Sequence, residues 1–156
     1  MPRRAAPEDM PPPRPKRARK RAIPQLTRDQ ALVALLIGAT EANQHTSPAE
    51  AARAQHIVLS TRSLRRKGGG AGGGVIAQMK AMVEAHGALA VVTAACRALP
   101  RRARAAAFAV VADLVLVDGR IDAAERDFLH GVSTDMGLDP DRAAAIVEVM
   151  RLKNGA

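Results

Sequence analysis

An all-α fold is predicted for this chain, a seven-helix bundle with two pseudo-duplicated helix–loop–helix halves. Three observations predict it. The 156 residues include no Trp, no Tyr and two Phe, so the interior must be built from Ala, Val, Leu, Ile and Met. Such a set suits closely packed helices better than a β-sandwich. Helix-start signals recur along the chain, with Ser, Thr or Asp standing three residues ahead of Glu or Gln, or directly before Pro. Finally, the apolar helix and capped helix at the start of the core return 75 residues later.

The elements follow in order. Residues 1–24 combine seven prolines with Arg and Lys and hold almost nothing to bury, the composition of a disordered basic tail. Residues 25–156 are expected to form the helical domain, enough chain for an independent core. Thr27-Arg28-Asp29-Gln30 has capping-box spacing ahead of a first helix over Ala31–Ala42, apolar nearly all round and therefore central. Ser47-Pro48-Ala49-Glu50 opens a second helix to about Arg65. Gly68–Gly70 and Gly72–Gly74 are read as a flexible link that breaks any helix. A third helix is expected over Val75–Ala85 and a fourth over Ala88–Ala98, divided near Gly87. Pro100 opens a fifth over Arg101–Val117. Asp122 caps a sixth to about Asp135, with a glycine stop at Gly137, and Asp139-Pro140 starts a seventh that ends near Lys153. At the 75-residue offset Ala31–Ile37 overlies Ala106–Ala112, Asn43 falls on Asp118, Ser47 on Asp122 and Glu50 on Glu125.

The formal charge of +9 is unevenly spread. Residues 1–22 carry net +6, residues 23–112 net +7, and residues 113–156 net −4, so the last third is an acidic surface on a basic chain. The single cysteine, Cys96, excludes an internal disulfide, fits a reducing compartment and reads as a small buried hydrophobe. No apolar run reaches the roughly 18–20 residues of a membrane span, and no signal-peptide core follows the N-terminal arginines. A cytoplasmic protein is expected.

The richest local chemistry lies in Val117-Asp118-Gly119-Arg120-Ile121-Asp122-Ala123-Ala124-Glu125. Asp118 closes one helix, Gly119 permits a left-handed turn, Ile121 can enter the core, and Asp122 and Glu125 fall in the first turn of the next helix. Two readings stand open. Three carboxylates on one turn are hard oxygen ligands of the kind that suit Ca²⁺ or Mg²⁺. Equally, Asp122-x-x-Glu125 is a capping box, stabilised by its place at a helix N-terminus without any ion. An EF-hand is excluded, because a register that aligns Gly119, Ile121 and Glu125 puts Leu114 and Leu116 at its first two ligand positions.

The stretch from Asp113 to Leu129, followed by Met136-Gly-Leu-Asp-Pro140, resembles the tellurite-resistance TerB-like family. The resemblance lies in an apolar helix, Asp-Gly, a hydrophobic residue, then an acidic residue and Glu before a second helix with a Leu-Gly-type stop. It covers about residues 26–153 and leaves out the basic tail. It implies seven helices in duplicated halves, no catalytic activity, and a role in tellurite and chemical stress responses. A divalent cation at Asp118, Asp122 and Glu125 is implied as well. So are protein partners such as TerC-like proteins at the cytoplasmic face of the membrane, hence peripheral association with the inner membrane. A related domain occurs in a membrane-anchored DnaJ co-chaperone. In the first half the Asp-Gly position reads Asn43-Gln44 and Glu50 alone keeps its carboxylate, so only a partial second half-site is expected there.

Other residues carry less. Asp113, inside an otherwise apolar helix, could be a buried functional carboxylate, but a partner such as an arginine, or partial exposure, explains it more cheaply. His45, His56, His86 and His130 show no paired spacing, and Lys67 precedes its glycines, unlike the lysine of a P-loop. The run Pro15-Lys-Arg-Ala-Arg-Lys-Arg21 is the rival signal. It could draw residues 1–22 to nucleic acid phosphates or to an anionic membrane surface, although it has no aromatic residue to stack on bases. No nucleophile–base or acid–base pair can be named.

Overall fold

The computed structural model describes residues 22–42, 48–60, 71–118 and 121–155. Among these residues there are seven helices and no strand: α1 (Arg28–Ala42), α2 (Pro48–Ser60), α3 (Ala71–His86), α4 (Ala88–Ala98), α5 (Arg101–Val115), α6 (Ala123–Asp135) and α7 (Pro140–Lys153). The all-α expectation is met.

Helix α1 is the hub. Ala31, Val33–Ile37 and Ala39 are buried on every side of it, and it packs against α4 and α3, then α5, α6 and α2. Its start is the predicted capping box: Thr27 N donates to Gln30 Oε1 at 2.8 Å and Gln30 N to Thr27 Oγ1 at 3.3 Å. Ahead of it Leu26 is buried, and Ile23 packs on the core. Helix α5 is the second organiser, carrying the buried Phe108, Val111, Leu114 and Val115 and packing on α7, α1, α2 and α6. Cys96 is fully buried in the same core, as the sequence suggested. Burial, with the nearby negative charge of Asp135, pushes its thiol pKa up to about 12 against the opposing pull of Arg104. It therefore stays protonated near neutral pH.

The turns are set by local chemistry. Gly87 separates α3 from α4 at φ 87°, a left-handed conformation that glycine adopts without strain. Helix α6 ends in a Schellman motif around Gly137 (φ 62°), where Leu138 N donates to Ser133 O at 3.0 Å and Gly137 N to Thr134 O at 2.9 Å. Asp139 then caps α7 through Arg142 N at 3.0 Å.

Three boundaries differ from the sequence reading. Helix α5 ends at Val115, and residues 116–118 form a turn rather than its last residues. Helix α1 begins at Arg28, directly after its cap, and not at Ala31. Helix α3 begins at Ala71, so Gly72–Gly74 are helical and not part of a link. Glycine costs about 1 kcal/mol in a helix interior. These three sit in the first turn, and Val75, Ile76 and Met79 just beyond them anchor the helix on the core. The expected end of α2 near Arg65, the glycines Gly68–Gly70 and the tail over residues 1–21 lie outside the described residues.

Candidate functional site

Site construction starts at the end of α5. Leu116 N donates to Ala112 O at 3.0 Å and Val117 N to Leu114 O at 3.3 Å, tightening the last turn. This leaves Asp118 exposed where the chain departs, while Gly119 and Arg120 lie outside the described residues. The chain returns at Ile121, which is half-buried and packs on the core. Asp122 follows in extended conformation as the N-cap of α6.

Here the capping box is complete. Glu125 N donates to Asp122 Oδ1 and Asp122 N to Glu125 Oε2, both at 2.8 Å. Arg126 N donates to Asp122 O at 3.1 Å, closing the first turn. Glu125 is only 5 % exposed, whereas Asp122 and Asp118 face solvent. Two backbone donors at the start of α6 thus meet carboxylate oxygens, and both charges lie at the positive end of the helix dipole. Among the described residues no three His, Cys, Asp or Glu side chains stand together closely enough to hold one metal ion. Of the partial half-site, Asn43 lies outside the described residues, and Glu50 falls in the first turn of α2.

The acidic residue that the fold does bring together with other functional groups is Asp113. Arg53 Nε donates to its Oδ2 at 3.0 Å, and Arg53 Nη2 bonds the same oxygen. Lys153 Nζ donates to Oδ1 at 2.6 Å and Asn154 Nδ2 to Oδ1 at 3.2 Å. Burial alone would raise this carboxyl's pKa, but the hydrogen bonds from Lys153, Arg53 and Asn154 outweigh it and hold it below the ordinary carboxylate range. The expected arginine partner is present, and the cluster clamps α2 and the end of α7 onto α5. Of the histidines, His56 and His130 are exposed on α2 and α6, His86 ends α3, and His45 lies outside the described residues.

Sequence reasoning passed over Arg104. Its Nε donates to Leu99 O at 3.1 Å and its Nη1 to Met136 O at 2.7 Å, so one guanidinium satisfies carbonyls at the C-terminal ends of α4 and α6. The signal in the sequence is its setting: Arg104 is a cation between Ala103 and Ala105 in a stretch, Ala103–Val115, that is otherwise apolar except for Asp113.

The fold and this loop define a class: an all-α module whose acidic inter-helix turn is built as a double cap. The family model of the tellurite resistance protein TerB matches residues 29–148, most of the chain, and the chain belongs to that family. No curated protein and no solved structure matches it. Among the described residues no helix is long and apolar enough to cross a membrane.

Proposed function

We propose that this chain is a non-catalytic module of tellurite and chemical stress resistance that acts by contacting other proteins in the cytoplasm. TerC-like proteins at the cytoplasmic face of the inner membrane are partners of the expected type. The observation that carries the reading is the family match over residues 29–148. Contact with proteins is supported by three large apolar side chains that remain well exposed, Leu89, Val149 and Leu152. Duplication of an ancestral helix pair belongs to the same proposal, supported by the 75-residue offset that sets α1 on α5 and α2 on α6. The test is survival of a host strain lacking its own copy under tellurite challenge. Restored survival with the full chain is expected, and unchanged sensitivity would refute the role.

A divalent cation, Ca²⁺ or Mg²⁺, at Asp118, Asp122 and Glu125 is a second reading, favoured by three carboxylates within eight residues at the turn from α5 into the first turn of α6. The arrangement fits a helix cap better than a chelate, because Asp122 Oδ1 and Glu125 Oε2 each accept a backbone N–H. No step of the proposed function is routed through an ion. Thermal melts with chelator and with excess Ca²⁺ or Mg²⁺ separate the readings. Ion at 100 times its Kd would add about 2.7 kcal/mol, and Asp118→Asn would remove that gain. An unchanged wild-type melt would leave the loop as cap and turn alone. The rival role, attachment of residues 1–22 to nucleic acid or an anionic membrane surface, rests on their net charge of +6.

A further inference from the structure

Between the C-terminal end of α1, the first turns of α4 and the middle of α6 runs an apolar groove of about 230 Å³. Val92, Phe128 and Val132 form its apolar surface, and Leu89, 80 % exposed, stands at its edge. Glu41, Asp127 and Asp135 line it as well, and no basic side chain does among the described residues. Asp135 is fixed in place by Thr93 Oγ1, which donates to its Oδ2 at 2.6 Å.

Two glycines in the groove have opposite explanations. A Cβ on Gly38 would collide with Val92 Cγ2 and stand 3.4 Å from Phe128, so the packing of α1 requires glycine there. Gly131, inside α6, has no such reason. Among the described residues a Cβ there would meet nothing within 4 Å, and its φ is not positive. Glycine is among the poorest residues for a helix interior, so folding alone disfavours it. A bare stretch of backbone beside an apolar groove permits close approach of another molecule.

We infer that this groove docks a cationic segment of a partner protein, one bulky apolar side chain entering between Leu89, Phe128 and Gly131 while flanking Lys or Arg residues meet Glu41, Asp127 and Asp135. The inference rests on the protein-contact reading above and names the chemistry of the partner. Charge complementarity selects that occupant: three carboxylates repel nucleic acid phosphates and anionic lipid, and they attract Lys and Arg. Size agrees, because the groove is smaller than the roughly 300–1,000 Å³ of small-molecule sites and suits an anchoring side chain.

The probe is a fluorescent amphipathic peptide of leucine and lysine, about 14 residues or four helical turns long, titrated against the full chain by anisotropy. Saturable binding that weakens with salt is expected. Gly131→Leu should raise Kd about ten-fold by filling the groove, and Asp127→Lys by a similar factor. Both variants should keep the wild-type circular dichroism melt within a few degrees, since both positions are exposed. Absence of binding, binding indifferent to both substitutions, or equal binding of a leucine–glutamate peptide would each overturn the inference. So would a peptide of residues 1–22 that occupies the groove more tightly than the probe, since the occupant would then be the chain's own tail. Tellurite survival is scored separately: its failure in the wild type strikes the functional reading, whereas loss of the groove effects strikes only this site.

Discussion

Replacing Asp113 with alanine should destabilise the fold by about 2 kcal/mol. A hydrogen bond to a charged group contributes about 1.5–3 kcal/mol when buried, and an exposed ion pair about 0.2–1 kcal/mol. The Asp113 side chain is 14 % exposed, that of Arg53 29 % and that of Lys153 47 %, so the Arg53 bonds fall between these limits and the Lys153 bond near the lower one. After substitution both cations can turn to water, which keeps the loss below the 3–5 kcal/mol of a fully buried broken pair. At about 2–4 °C per kcal/mol the melting temperature should drop by about 4–8 °C. A double-mutant cycle with Arg53→Met should give a coupling near 1 kcal/mol, and one with Lys153→Met about 0.5 kcal/mol or less. The pH dependence has a definite sign. Because the folded carboxyl has a lowered pKa, the unfolded chain takes up this proton first as pH falls. The cluster's contribution is thus fully present above the ordinary carboxylate range and is lost as pH falls through the folded value. The gap between wild type and Asp113→Asn should stay constant down to about pH 5 and narrow below about pH 4. Chemical denaturation across this range measures it. An alanine variant within about 0.5 kcal/mol of wild type at neutral pH would refute the clamp.

Three further outcomes can be read from the same unfolding measurements. Arg104→Met, which leaves the carbonyls of Leu99 and Met136 without their guanidinium partner, should cost about 1–3 kcal/mol, and an unchanged melt would show that water replaces it freely. Gly131→Ala should stabilise by up to about 1 kcal/mol, while Gly137→Ala should destabilise by about 1 kcal/mol. The contrast follows from φ 62° at Gly137 and the open space at Gly131, and equal effects at both sites would contradict it. Asp122→Ala should cost about 0.5–2 kcal/mol even with chelator present, through loss of the α6 cap, and a melt unaffected without ions would show that the cap contributes nothing.

What could be read from the sequence was what depends on near neighbours. Asp122 and Glu125 are three residues apart, so their reciprocal capping bonds follow from the local pattern alone, as do those of Thr27 and Gln30. The stop at Gly137 and the start at Pro140 are equally local. The charged clamp was legible only in part. A carboxylate among apolar residues demands a partner, but Arg53 lies 60 residues away and Lys153 40, and only the packing of α2 and α7 on α5 selects them. Gly72–Gly74 were misread for the opposite reason: local propensity opposed a helix, and packing of Val75, Ile76 and Met79 overrode it. The groove belongs to neither case. Its walls come from three helices that no local pattern relates, and only the folded chain shows the open space at Gly131. A glycine inside a strongly patterned helix, needed neither for a turn nor for close packing, costs folding free energy, and the explanation for keeping it has to be sought outside the helix that carries it.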